Sequence, residues 1–331
     1  MSLELFWTYA FNFIFNSFFV FFTSLLLCKL VAFIFCIKQP RLKALLFCVP
    51  FLKLILDGFL YYDTSNWALF HSVDPRFAAE NSRSFGAAIG FFPYMIPSLQ
   101  FSMEGHALFF TLADLLALTM GASWTMAVVL SISSLSFLKG IYFFLKLRRS
   151  KKEINKLLRH SISISKEVAL SSHIAVPCAV GVFKRKILFP KHLMSKLSLA
   201  EFNAVLAHEK SHLVWHDALV RLVMQFFAAM FWWIPTNKTL KKIENWQEEA
   251  CDQVGKNSLE LASALVKVAR FTNQQPVGVA VLCFVSQSDV SRRIQLLLKE
   301  EKPQMFILKW VQRAAIAFMA LGIILGVFWI F

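Results

Sequence analysis

The stretch Ser198-Leu-Ala-Glu-Phe-Asn-Ala-Val-Leu-Ala-His-Glu-Lys-Ser-His212 decides how the polar half of this chain is read. Ser198 with Glu201 three residues on is a capping box, in which each side chain satisfies the other residue's backbone N–H. A helix therefore starts there, and it is expected to run through Val205 and Leu206 to at least Val214. On that helix His208 and His212 stand at i and i+4, so both imidazoles leave one face within reach of one ion. Glu209 sits beside the first histidine, where its carboxylate can take a proton from a metal-bound water. The five residues form an H-E-x-x-H motif on a capped helix. They point to a zinc centre with Glu209 as general base. Two lone histidines and a solvated glutamate are the plain alternative.

A catalytic zinc needs a third protein ligand and an open fourth position. His216 stands at i+8, but about 800° of turn, at ~100° per residue, carries it off the His208 axis and along the helix. Glu248-Glu249-Ala250-Cys251-Asp252 is the stronger source, on a helix expected over 238–254 with Gly255 past its end. Glu248 and Asp252 share a face, so one can bind metal while the other orients a histidine through its second nitrogen. An ordinary acidic helix face, with Glu244 one turn earlier, would carry the same residues.

Outside this region the chain reads as a membrane protein. Of its 331 residues 57% are hydrophobic and 17% charged, both away from the globular norm. Residues 11–35 are nearly unbroken apolar sequence, longer than the ~20 residues that cross a bilayer and too long for a signal-peptide core. Four spans are expected, at about 6–36, 45–62, 108–145 and 310–331. The third exceeds one crossing, so residues 112–120 suit an interfacial helix. Lys53 and Asp57 stand at i, i+4 inside the second span, where they can pair.

The net charge of +15 is explained by topology. Lys38, Arg41 and Lys43 lie between the first two spans. Lys146, Arg148, Arg149, Lys151 and Lys152 follow the third. Both clusters belong in the cytoplasm by the positive-inside rule, and the acidic 63–105 loop outside. This orientation puts the N-terminus outside and a polar domain, residues 146–309, in the cytoplasm, after a membrane region of residues 1–145 and before a final span, 310–331. No basic patch interleaved with aromatics marks a nucleic-acid site. The six cysteines form no C-x-x-C pair and are read as free thiols. The apolar 219–235 stretch suits either domain core or a helix pressed into the bilayer. Residues 174–181 and 186–189 are strand candidates, the first confined to a sheet edge by Pro177. Further helices are expected over 259–271 and from about Asp289.

Four stretches together resemble the BlaR/MecR-type membrane metallopeptidases. Ser171-Ser-His-Ile-Ala-Val-Pro-Cys-Ala-Val-Gly181, followed by Ile187-Leu-Phe-Pro190, is similar to the family's edge-strand segment. Leu206 to His212, with Asp217 five residues on, resembles its zinc helix. Glu248-Glu-Ala-Cys-Asp252 resembles its glutamate segment, and Ser291-Arg-Arg-Ile294 its arginine-containing helix start. The resemblance implies an α-helical membrane protein with an α+β zincin-like cytoplasmic metallopeptidase domain, in a bacterial inner membrane. It implies Zn2+ held by His208, His212 and Glu248, Glu209 as base, and Asp252 and Asp217 supporting the ligands. It further implies that Val176, Cys178 and Val180 meet an extended substrate by strand addition, with Arg293 helping hold the site.

The expected activity is zinc-dependent endoproteolysis in signal transduction. The substrate would be a cytoplasmic protein such as a transcriptional repressor, with the chain's own 273–288 loop as an added one. A dimer is compatible with this. The chain stops at Phe331, inside or just beyond the last span, and Ser136-Phe-Leu-Lys139 and Ser163-Ile-Ser-Lys166 lie in no extracellular domain. Acylation of a serine by a β-lactam is therefore not expected. The competing readings are an HtpX-like quality-control protease and a membrane signalling scaffold without proteolysis.

Overall fold

A computed structural model describes residues 3–63, 98–103, 106–111, 122–182, 185–254, 258–272, 290–298 and 310–318. Most of the expected outer loop, the interfacial segment at 112–120, Gly255 and the proposed self-cleavage loop lie outside these residues.

Two apolar helices open the chain, α1 (Leu3–Ile34) and α2 (Pro40–Asp63), packed as a hairpin. Pro40 starts α2, where its missing N–H is no loss. Pro50 falls inside α2 and leaves the carbonyl of Leu46, four residues back, without its helical donor. The buried Cys28 thiol of α1 reaches that carbonyl at 3.3 Å, so the neighbouring helix satisfies it. Phe21 of α1 meets Phe51 of α2 edge-on, with ring centroids 5.2 Å apart.

A hairpin follows, β1 (Ser98–Met103) paired antiparallel with β2 (His106–Thr111). Residues 108–111 are therefore strand, and the third long helix begins later than its hydropathy suggested. That helix, α3 (Ala122–Arg159), is long and apolar enough over Ala127–Arg159 to cross a membrane. Phe137 and Tyr142 are 68% and 67% exposed, so one face of α3 is left for something apolar. The helix runs without a break through the basic cluster at 146–152 and into the polar region.

Four short strands form the sheet there: β3 (Ile162–Ser163), β4 (Val168–Ser171), β5 (Cys178–Val180) and β6 (Lys186–Pro190), in the order β3-β4-β6-β5. β4 runs parallel to β6, and β5 antiparallel to it, with Cys178 opposite Leu188. β5 lies at the edge, as Pro177 requires, and that proline shortens the strand to three residues. After the short α4 (Lys191–Met194) come α5 (Leu199–Val214), α6 (Asp217–Met230), α7 (Asn237–Asp252), α8 (Ser258–Thr272) and α9 (Val290–Leu298). α5 begins at the capping box read from sequence: Ser198 accepts from the Glu201 N–H, and Glu201 accepts from the Ser198 N–H.

The apolar 219–235 stretch is not the core of a separate lobe. Met224 and Ile234 share one buried cluster with Phe21, Cys28, Leu46, Phe47 and Phe51 of the N-terminal hairpin and with Ile243 of α7. Phe47 packs against Trp246 of α7 at 4.7 Å, and the Trp233 indole donates to Ser17 Oγ at 3.0 Å. A helical segment over 310–318 adds Gln312, fully buried, whose amide donates to the Phe35 and Cys36 carbonyls at the end of α1.

Candidate metal centre

α5 and α7 cross so that two turns of each face one another. His208 and His212 come from α5, and Glu248 and Asp252 from the matching face of α7. His208, Glu248 and Asp252 are each at most 6% exposed, and Glu209 8%. The Nε2 atoms of His208 and His212 lie 3.3 Å apart. Glu248 closes the triangle, with Oε2 3.5 Å from His208 Nε2 and Oε1 3.6 Å from His212 Nε2. Ligand atoms bonded at about 2.0–2.1 Å in a tetrahedron stand ~3.3–3.4 Å from one another. The two imidazole nitrogens have the spacing of neighbouring ligands on a tetrahedral zinc, Glu248 turns one oxygen toward each ring, and two imidazoles with one carboxylate are a donor set that could hold a metal.

The far nitrogens of both rings face carboxylates. His212 Nδ1 is 2.8 Å from Asp217 Oδ2. His208 Nδ1 is 3.0 Å from Asp252 Oδ1, close enough to pair but off the line of a formed hydrogen bond. A carboxylate at Nδ1 keeps the proton there and leaves the Nε2 lone pair toward the metal position. Asp217 reaches its place because α5 stops at Trp215 and His216 takes a left-handed conformation, φ 56°. α6 departs at 53° to α5, and its first residue swings back under His212. His216 is itself turned away. Its Nδ1 faces the Val214 carbonyl and its Nε2 the Arg185 guanidinium, so it stands apart from the donor triangle.

Three buried or nearly buried guanidiniums hold these carboxylates. Arg293 of α9 grips Asp252 with two bonds, 2.6 and 2.8 Å, and reaches Glu248 Oε2 at 3.2 Å. Arg221 of α6 donates to Glu248 Oε1 at 2.7 Å and to Gln247 at 2.8 Å. Arg41 of α2 donates to Asp217 Oδ1 at 2.6 Å. In the metal-free chain burial works against a charged His208, but Asp252 and Glu248 outweigh it and push the imidazole up to about 9. His212 is raised against burial in the same way by Asp217, Cys251 and Glu248. Burial would lift Glu248, yet the two imidazoles and Arg221 hold it well below the carboxylate range.

A cleft of about 450 Å³ opens over the triangle. Glu209 lines it, as do Arg293 and the residues of the edge segment, Val176, Pro177, Cys178 and Ala179. Val180 does not. It packs with Val176 and Cys178 in the core behind the sheet, so these side chains anchor the strand while its backbone edge borders the cleft. Arg221, Arg41 and Cys251 were not singled out from sequence. The available signal for Arg221 was a lone charge inside an apolar helix, one turn after Asp217.

A capped H-E-x-x-H helix, a buried His-His-Glu donor set and a cleft beside a sheet edge are the features of a metallopeptidase. The family model described as BlaR1 peptidase M56 matches residues 106–297, more than half of the chain, and the chain belongs to that family. It is accordingly a membrane-associated peptidase. No curated protein matches it.

Proposed function

We propose that the chain is a zinc-dependent endopeptidase of a bacterial cytoplasmic membrane, with His208, His212 and Glu248 as ligands. The observation that carries this reading is the buried convergence of the two imidazole nitrogens, 3.3 Å apart, on the Glu248 carboxylate, whose oxygens lie 3.5 and 3.6 Å from them. Bound there, zinc would polarise a scissile carbonyl and lower the pKa of water. Glu209, at the cleft wall beside the ligands, takes the proton from the attacking water and returns it to the leaving amine. Asp252 and Asp217 keep the two imidazoles oriented. Arg293 faces both Glu248 and the cleft, where it can steady negative charge that develops on the substrate. An extended peptide adds to the free edge of β5, its backbone pairing along 176–180.

The membrane arrangement belongs to the same proposal. Residues 1–145 and 310–331 supply four spans, and residues 146–309 form the peptidase domain on the cytoplasmic side, beyond the basic clusters. The substrate is a cytoplasmic protein with an accessible extended segment, such as a repressor, and cleavage relays a signal. Zinc analysis of detergent-purified protein tests the centre. About one zinc per chain, lost in His208→Ala and in Glu248→Ala but kept in Glu209→Gln, is expected. Glu209→Gln should bind zinc and fail to cleave an extended peptide. Zinc retained in Glu248→Ala would refute the ligand assignment. No zinc in the wild type would refute the centre.

A further inference from the structure

The basic link between α1 and α2 reads in sequence as a topology signal. One of its three cations does something else. Arg41 is turned inward, its side chain 14% exposed, and its guanidinium splits between two groups behind the metal centre. Nη1 donates to Asp217 Oδ1 at 2.6 Å, and Nη2 to Cys251 Sγ at 3.2 Å. Its plane also lies over the Trp215 ring, 5.0 Å from the centroid. Asp217 is 2% exposed. Its two oxygens have separate duties: Oδ1 takes Arg41, and Oδ2 takes His212 Nδ1 at 2.8 Å. A carboxylate held at one oxygen by a rigid guanidinium cannot rotate the other away from the imidazole.

We propose that Arg41 is a positioning residue for the metal centre, through which the α1–α2 hairpin orients the Asp217 carboxylate and so the ligand His212. This rests on the zinc reading above and extends it to a part of the chain that lies outside the matched family region. Two further contacts make the hairpin a fixed support. Gln312 grips the Phe35 and Cys36 carbonyls just after α1, and Phe47, less than two turns after Arg41, is wedged on Trp246 of the helix that carries Glu248. The seating of the hairpin thus reaches the metal ligands from two sides, through α7 by packing and through Asp217 by charge. Any displacement of the hairpin that separates Arg41 from Asp217 would loosen His212 without touching the ligands themselves.

The test is zinc affinity, measured by chelator competition on full-length protein in detergent beside thermal unfolding of the same samples. Losing an outer partner of a ligand histidine weakens metal binding by about 10–100-fold. Arg41→Ala, one contact further out, should weaken it by about tenfold. Arg41→Lys should recover part of this, since an ammonium reaches Asp217 but cannot also reach Cys251. Asp217→Asn should cost at least as much, and adding Arg41→Ala to it should cost little more. Leu193→Ala, a core truncation in α4 outside the hairpin, serves as the control: it should lower the unfolding temperature and leave zinc affinity unchanged. Folded Arg41→Ala that binds zinc as tightly as wild type would overturn the proposal and leave the zinc centre standing. If Arg41→Ala does not fold, Arg41→Met, which keeps the side-chain length but neither bond, takes its place, and wild-type affinity in that variant overturns the proposal equally. A wild type that binds no zinc overturns both.

Discussion

Asp252→Asn is the sharpest probe of how the centre is held, because it changes charge and donor pattern with almost no change in volume. Asp252 accepts two bonds from Arg293, from Nη2 at 2.6 Å and Nε at 2.8 Å, and stands 3.0 Å from His208 Nδ1. An asparagine has one oxygen to accept with, and its amide nitrogen must then face either Arg293 or the imidazole, donor against donor. One buried donor left unmet costs about 1–3 kcal/mol. The measured effect of removing such a partner from a ligand histidine, about 10–100-fold in metal affinity, corresponds to about 1.4–2.7 kcal/mol. The two routes agree, so the zinc Kd of Asp252→Asn is expected to rise by one to two orders of magnitude. Chelator competition at neutral pH reads this directly, and unfolding of the zinc-free protein separates it from lost stability. If the Kd stays within about twofold of wild type while the zinc-free protein melts earlier, Asp252 merely anchors α9 through Arg293. The argument from ring orientation would then be wrong.

Other outcomes follow from the same geometry. Arg221→Met leaves the Gln247 oxygen unmet and Glu248 with only Arg293 and the imidazoles, so the metal-free protein should lose about 1–3 kcal/mol in denaturant unfolding. Zinc should restore part of that, because it gives Glu248 a new cation. Zinc binding should tighten as pH rises from 6 toward 9. His208, raised to about 9 in the metal-free chain, must release its proton to bind, and a Kd that is flat over this range would refute the protonated apo site. Glu201 is held near 2 because Lys267, Ser263 and the Ser198 N–H outweigh its burial. A carboxyl lowered from 4.5 contributes stability above that value and loses it as pH falls toward 2. Glu201→Gln should therefore destabilise by about 1–2 kcal/mol at neutral pH, discounted for the exposed Lys267, and by much less near pH 3. An undiminished difference at low pH would show that the capping geometry, not the charge, matters.

The parts of this fold that sequence made legible are those governed by local chemistry. The start of α5 follows from two side chains three residues apart. The convergence of His208 and His212 follows from helix pitch, and the edge position of β5 from a proline that cannot donate. What stayed hidden depends on the path of the chain between elements. Asp217 carries no local sign that it will turn back on His212; that requires the left-handed His216, a conformation few sequences announce. β3 and β4, of two and four residues, leave no alternation long enough to read, and nothing local shows that β4 will run parallel to β6. Arg41 was legible only as one charge among three in a basic link, a pattern with a sufficient explanation in membrane topology. Arg221 was submerged in the apolarity of its helix.

The charges behind the ligands explain why the centre is assembled from so many elements. In the proposed centre three carboxylates, Glu248, Asp252 and Asp217, would bind the metal or aim the imidazoles, and each sits in a medium where an unpaired charge would be prohibitively unfavourable. Each is met by a guanidinium, and the three arginines come from α6, α9 and α2. Arg293 fixes the Asp252 carboxylate plane with two bonds, whereas Arg221 and Arg41 each join one carboxylate to a neighbouring group, Gln247 or Cys251, in directions that a lysine would not fix. The pairing has a structural corollary. The ligands occupy only α5 and α7, but their orientation is complete only when α2, α6 and α9 are all docked. Metal affinity in this protein should therefore fall before the fold itself is lost, whenever any of those three helices is displaced.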